Sequence, residues 1–560
     1  MTGRGRDWGV LAPAILPVLL AATTLAAVLA AWQATPYQDQ WGMVASYRDL
    51  LRHGPSLEWF WRQHNEHRIV FPRLVFLADM AWTRGSNLVN LTTILAIQAL
   101  GAWLFVRLAL RGGLRPLTAA AAALAAACLF SLAQWENLVW GFQVQFVGVY
   151  CAGGWGLFLF SRAMREPAAV DWRAWAGAMA LLGVCTFSMA NGVLVGGAML
   201  LVALAVRGSW RLLGATLVVV AALAALYFSG FRPVEGHSSP LASIRRPLEL
   251  AQYVAAYLGA LFGMGRPILA LGCGLVGIGL TAAMALQVVL RRERDPAQLA
   301  AFGIVLFVGL SAGVTALGRL DFGYAQAISS RYVTPSAWFW AAQFVFWGRF
   351  AAAGERRLVG ACAGLAYGVA AFVLVLSQGL LFAAVKAWDA RVSAASEALV
   401  IGLDDPAALA VLYPNLPELQ DWSGFLRAQR LSVFAEPEAG WIGGSAEAVL
   451  KPAPASACLG AFDVLDAPAP GAAWRARGWA WDREARRTPR TVVLAAADGT
   501  LVGLGRFGEA RPDVQQAVPQ VWILGSGWNA LARPDATGPL RAYAVLRDGR
   551  ACPIGEKPAP

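Results

Sequence analysis

Imidazole, carboxylate and guanidinium groups crowd into one short stretch, His64-Asn65-Glu66-His67-Arg68, which runs on into Phe71-Pro72-Arg73. Groups this polar beside long apolar blocks cost desolvation unless they are paired or face water, so the stretch is either a functional site or a local hydrogen-bonded staple. The three-residue spacing of His64 and His67 would place both rings on one helical face, where they could hold a metal with an acid from elsewhere. Nothing near them completes a ligand set, so no metal site is assigned. The better-matched chemistry is hydrogen bonding to a phosphate by His64, His67, Arg68 and Arg73, with Glu66 orienting them or moving a proton. A second acid, Asp39, stands in Tyr37-Gln38-Asp39-Gln40-Trp41, just after the first apolar block. There it can meet a head group beside an interfacial tryptophan, or simply cap the helix that follows.

Other loops offer complementary groups. Arg245-Arg246 and Arg331-Tyr332 could complete a phosphate pocket, since the guanidinium fork matches phosphate oxygens in pairs; each alone would serve as an interface anchor. Trp135, Glu136, Asn137 and Gln143 mix rings, amides and a carboxylate where only an aromatic belt is expected, a mixture that glycan-binding surfaces use. Arg319 and Asp321 are candidates too, or a pair that neutralise each other. All four histidines, His53, His64, His67 and His237, fall in segments expected on one side of the membrane.

The elements that must hold these residues follow from composition. The 560 residues are 58% hydrophobic and 14% charged, with mean hydropathy +0.52, too few charges to cover a water-soluble surface of this size. Apolar blocks of about twenty residues read as membrane-crossing helices and not as the alternating strands of a barrel. The expected set is 10–32, 88–110, 117–133, 143–161, 174–190, 192–206, 212–229, 267–290, 299–318, 332–349 and 358–382, about eleven spans. The net charge of +12 is spread at the ends of these blocks, which excludes the single basic stripe of a nucleic-acid binder.

Arginines in alternate short connections, among them Arg111, Arg165, Arg207 and Arg291, mark the cytoplasmic side. Met1–Arg6 is basic, and the run after it is too long for a signal peptide, so it reads as an uncleaved first helix with a cytoplasmic N-terminus. An odd number of spans then puts everything after about residue 385 outside a bacterial-type inner membrane, in the periplasm.

The reading is thus a mainly α, polytopic helical membrane protein with a small C-terminal β-sandwich. Residues 1–385 form the membrane domain with outer loops 33–87 and 230–266, 386–450 a mainly helical connector, and 451–560 the sandwich. Within the loops, 41–51, 57–63 and 248–262 suit short helices at the interface, and 69–82 an interfacial or re-entrant segment. In the tail, β-rich runs flank Asp498-Gly499 and precede Asp548-Gly549, strong hairpin signals. Trp479 and Trp481 share one strand face, as core residues or as a glycan platform. Cys458 and Cys552 bracket this segment and would suit a disulfide in an oxidising compartment.

A cytoplasmic N-terminus, an acid-bearing first outer loop with interfacial helices, many spans and an outer C-terminal domain together resemble the GT-C class of multi-pass glycosyltransferases. That resemblance covers most of Met1–Phe382 as architecture and the first loop as motif. It implies sugar transfer from a polyprenyl-phosphate donor to a glycan, glycolipid or protein acceptor of the cell envelope. It carries the catalytic carboxylate onto Asp39. Many members have two adjacent acids where this chain has Asp39-Gln40, and Glu66 is the alternative base. No cofactor is demanded, although a divalent cation suits a phosphate donor, and the remaining partner is membrane lipid. Gly478-Trp479-Ala480-Trp481-Asp482, Gly505-Arg506 and Arg511-Pro512-Asp513 resemble a β-sandwich appendage of bacterial surface-polysaccharide proteins. The rival readings are a transporter or flippase of lipid-linked saccharides, and a non-catalytic envelope-glycan assembly protein.

Overall fold

The computed structural model describes residues 11–166, 169–232, 239–354, 357–469, 471–519 and 525–558. Met1–Arg6 and His237 lie outside them. The chain divides into two units: Met1–Trp32, His53–Ala78 and Leu88–Lys386 make one, and Gln33–Arg52, Asp79–Asn87 and Ala387–Pro560 the other. The expected first outer loop, 33–87, is therefore shared between them, and the C-terminal division falls after Lys386.

The first unit is helical because its alanine- and leucine-rich blocks favour helix and, in an apolar surround, every main-chain polar group must be satisfied within the segment. Among the described residues, eight helices are long and apolar enough to cross a membrane: Ala12–Ala30, Leu88–Leu110, Pro116–Val139, Gly141–Ala163, Trp210–Phe228, Pro267–Arg291, Pro296–Phe322 and Leu358–Ile401. Three of the expected eleven differ. Trp172–Thr186 has 15 residues and the apolar Ala190–Ala205 is also short. Val333–Ala353 has 21 residues but carries Thr334, Ser336 and Gln343. Most of that helix is buried against neighbouring helices, so its sequence answers to protein packing and not to lipid.

Between Trp172–Thr186 and Leu194–Ala205 the chain breaks at Phe187–Met189 and restarts through the 3-10 turn Ala190–Val193. Gly192 makes the break possible, since a Cβ there would overlap the Cys185 carbonyl. The short amphipathic helices Leu57–Trp61, Val70–Trp82 and Pro247–Gly259 accompany these spans.

In the second unit, residues 33–52 and 79–87 fold with the C-terminal segment. Gln33 Nε2 donates to Asp389 Oδ1 at 2.5 Å and to Ser393 Oγ at 2.7 Å. Gln40 Nε2 meets Asn87 Oδ1 at 2.5 Å, and Thr35 and Ser396 share a hydroxyl contact. Helices Pro406–Leu409 and Leu416–Gln429 lead to a sheet of eight strands: β1 Lys451–Pro452, β2 Cys458–Asp466, β3 Trp474–Asp482, β4 Thr491–Ala495, β5 Leu501–Glu509, β6 Gly527–Ala532, β7 Leu540–Val545 and β8 Arg550–Lys557. The order is β1-β8-β7-β4-β5-β6-β3-β2, antiparallel except for β1 on β8.

Both Asp-Gly turns are present, with Gly499 at φ +85° and Gly549 at +84° closing β4-β5 and β7-β8. The strands form one continuous hydrogen-bonded sheet around one core. Bulges in β2, β5 and β8 bend it. The disulfide Cys458–Cys552 ties β2, at one edge, to β8 near the other. Trp481 and Trp479 pack with Leu459, Val514 and Val518.

Candidate functional site

His64 and His67 do not share a helix face. They exchange both main-chain hydrogen bonds across a two-residue turn, at 2.8 and 2.9 Å, with Asn65 at φ +46°, a conformation asparagine tolerates better than most residues. The turn removes the helical spacing that a two-histidine metal site would use, and no group of three metal-ligating side chains occurs among the described residues. It also sends successive side chains in different directions.

The arginines that follow turn into the protein. Arg68 donates to the carbonyls of Tyr227 and Trp61 at 2.7 Å each and to that of Ser229, over the Trp61 ring. Arg73 donates to Trp59 at 2.9 Å, Phe60 at 2.6 Å and Arg62 at 3.0 Å, over the Trp59 ring. Burial lowers the Arg73 guanidinium to about 10, which leaves it charged at neutral pH. Both side chains fix the 57–62 segment and the end of Trp210–Phe228, so they act as a staple. His64 is walled by Phe142 at a centroid distance of 5.3 Å. Burial, then the neighbouring His67 and Arg73, push its imidazole down to about 4, so it is neutral, and its Nε2 is buried with no hydrogen-bond partner among the described residues.

Glu66 and His67 turn the other way. Glu66 Oε1 lies 3.1 Å from Arg319 Nη2 and 3.7 Å from His67 Nε2. His67 Nδ1 accepts the Ala190 N–H at 3.2 Å, which anchors the turn on the helix break, and the Tyr227 hydroxyl donates to the Glu66 carbonyl at 2.6 Å. Arg319 closes helix Pro296–Arg319, so a cation ends the last turn where the helix dipole favours one.

Around Arg319 the group widens. Tyr253 donates to Gln326 Oε1 at 3.2 Å. Burial and Tyr332 push the Tyr253 hydroxyl up, against the pull of Arg319 and Arg331. Arg331 sits over the Tyr332 ring at 5.7 Å, and its Nε is buried without a partner among the described residues. Tyr332 lies tilted against Tyr257 at 5.6 Å between centroids; Tyr257 meets Tyr150 hydroxyl to hydroxyl at 3.4 Å, and Asn191, on the helix break, donates to Tyr150 at 3.0 Å.

Glu136 and Asn137 support this loop from below. Glu136 Oε2 accepts the Arg331 N–H at 3.0 Å, and Asn137 donates to the Arg331 carbonyl at 2.8 Å and to Thr334 at 2.7 Å. Asn137 and Gln143 are buried; the Asn137 amide ties the framework, while the Gln143 Oε1 has no hydrogen-bond partner among the described residues. Trp135 opens the short helix that carries Glu136.

The remaining candidates have other settings. Arg246 is held by Glu249 and, at 2.7 Å, by Asp321, and Arg245 is exposed. Arg319 pairs with Glu66, and Asp321 with Arg246. Asp39, in the second unit, immediately precedes helix Gln40–His53, where a capping acid stands. Burial, then Glu418, then Asp39 push the nearby Tyr413 hydroxyl up to about 12.

An apolar groove of about 460 Å³ runs beside the turn, lined by Phe71, Pro72, Ile97, Trp103, Trp155 and Ser188 among others. Its lining includes Phe71, four residues after His67, and Ser188, two before Ala190, but not Glu66, His67, Arg319 or Arg331 themselves. Sequence reasoning named Glu66, His67, Arg331 and Tyr332. It missed Tyr150, Asn191, Tyr253 and Tyr257, whose only signal was polarity within or beside apolar blocks.

No protein-family model matches the chain, and no curated protein is significantly similar to it.

Proposed function

We propose that this protein is a membrane glycosyltransferase that moves a sugar from a polyprenyl-phosphate donor to a glycan, glycolipid or protein acceptor of the cell envelope. The observation that carries the reading is the junction of two unlike surfaces. A carboxylate, Glu66, is held between Arg319 and His67, and the chain that continues from this group, at Phe71 and Ser188, lines an apolar groove. An amphiphile with a phosphate head and a hydrocarbon tail fits that junction.

In this reading the tail lies in the groove while Arg319 and Arg331 hold the phosphate. As the bond from the sugar carbon to the phosphate oxygen breaks, the acceptor oxygen bonds that carbon and its proton passes to Glu66. The guanidiniums neutralise the departing phosphate. Asp39 remains the acid that the family resemblance favours, and Tyr332 lies against Arg331. The reaction lies on the extracytoplasmic face of an inner membrane, so a reporter fused after Gly402 is expected outside the cytoplasm.

The test uses the purified full-length protein with polyprenyl-phosphate sugars, as wild type, Glu66→Gln and Asp39→Asn. Loss of a general base predicts about a 10²- to 10⁴-fold drop for Glu66→Gln. Transfer at the wild-type rate in that variant would remove Glu66 from the mechanism, and a collapse confined to Asp39→Asn would move the base there. No turnover by the wild type, together with passage of lipid-linked saccharide across vesicles, would replace the enzyme with a transporter.

A further inference from the structure

Helix Pro296–Arg319 ends in the Glu66 group and begins, at Asp295, in a quite different setting. Three adjoining cavities of about 400, 370 and 340 Å³ open there. Arg111 lines all three, and Arg165, Arg349 and Asp295 each line two, so they share walls and form one basin. Arg115, Arg162, Arg291 and Arg294 complete its basic lining. Four acids face these seven arginines: Glu166, Asp171, Glu293 and Asp295.

The acids are largely engaged with main chain. Asp171 accepts from the N–H groups of Arg173 and Ala174 at 3.1 Å, and Asp295 from that of Ala297 at 2.9 Å. Glu293 accepts from the N–H groups of Arg294 and Asp295 at 2.8 Å. Asp295 also serves Arg349 and, at 3.7 Å, Arg111. Positive charge is therefore in excess, and the Nε of Arg349 is buried without a partner among the described residues. Gly112 and Gly113, at φ +100° and +123°, fold the main chain over this arginine and leave the cavity open above it.

Helix-end arginines in a membrane protein are ordinary topology signals, but those stand singly on the surface; here they converge on shared cavities. We propose that the basin binds a phosphate-bearing anion. Guanidinium forks match its paired oxygens, and the excess charge supplies the attraction. Leu114 and Leu290, next to Arg115 and Arg291, are 60% and 70% exposed, as they would be beneath the acyl chains of an acidic phospholipid. The basin lies at the opposite end of a 24-residue helix from the Glu66 group, so it does not depend on the reaction proposed there.

The test compares the full-length wild type with Arg165→Gln/Arg291→Gln, which removes two basin charges whose guanidiniums are seen only lining the cavities or over the Phe350 ring. Arg165→Lys/Arg291→Lys keeps the charge, and Arg211→Gln, an exposed arginine outside the basin, serves as control. One arm reads retained lipid by native mass spectrometry after exchange into phosphatidylglycerol or phosphatidylcholine. The other reads the melting temperature in detergent as inorganic phosphate is titrated.

Two charges near anionic lipid predict about a 30-fold weaker retention of phosphatidylglycerol in the glutamine variant, with the lysine variant and the control near wild type. That outcome supports the proposal with a lipid head group as source. Phosphate-dependent stabilisation of the wild type that is absent from the glutamine variant supports it with a free phosphate as source. Equal behaviour of wild type and glutamine variant in both arms, or no preference of the wild type for either anion, overturns it.

Discussion

The two ends of helix Pro296–Arg319 use arginine in opposite ways. At the Arg319 end the neighbouring arginines, Arg68 and Arg73, are enclosed and donate to main-chain carbonyls, while one guanidinium meets one carboxylate among tyrosines. At the Asp295 end seven arginines outnumber the acids around open cavities, and Arg162 and Arg165 are exposed. The first arrangement suits a reacting group that must be held still. The second suits retention of an anion by charge. What separates them is the partner each guanidinium meets, which the residue type alone does not say.

The largest expected effect breaks the enclosed wall. Arg73→Leu leaves three carbonyls without their donor, each costing about 1–3 kcal/mol, so the purified protein should lose much of its thermal stability or fail to stay monodisperse. At the other end Arg115→Gln removes one bond, to the Ala352 carbonyl at an exposed site, and should cost less than about 1 kcal/mol. Equal melting temperatures for the two variants would erase the contrast.

Salt sharpens the contrast at intermediate size. Raising ionic strength from about 0.1 M to 1 M shortens the Debye length from about 10 Å to about 3 Å. Anion retention at the basin should then fall by about an order of magnitude. The melting temperature set by the enclosed arginines should barely change.

Acid gives the smallest effect. The His64 imidazole is held down to about 4 by burial, against its ordinary 6.5, so folding favours its neutral form. That contribution is complete above pH 6.5 and declines as pH falls from 6.5 toward 4, where the unfolded chain takes up a proton and the native protein does not. The melting temperature of wild type should fall by a few degrees more over this range than that of His64→Leu. Parallel curves would show that the ring is accessible to protons.

Length and apolarity made the long helices legible, and Asp-Gly marked both hairpins, because these signals are local. The helix count was less so. Val333–Ala353 lies buried among other helices and needs no lipid-facing sequence, and Phe187–Met189 breaks a run whose residues are all compatible with helix. The site was legible as a neighbourhood and not as a set of roles. Glu66 meets Arg319 253 positions away, and nothing near either residue announces the other. His64 and His67 looked helical by spacing until Asn65 took a positive φ. The single curled sheet depends on bulges, and their positions reflect long-range pairing that alternation alone does not encode.

The Ala190 N–H that reaches His67 settles more than the position of a ring. A nitrogen that accepts a main-chain hydrogen bond cannot also bear a hydrogen, so the neutral imidazole must carry its proton on Nε2, the atom nearer Glu66. This ring is confined to one tautomer by the helix break, and cannot take a proton at one end while releasing another at the far end. With Nε2 already carrying its hydrogen and Nδ1 occupied, the neutral ring can only donate toward Glu66 and cannot take a proton from it.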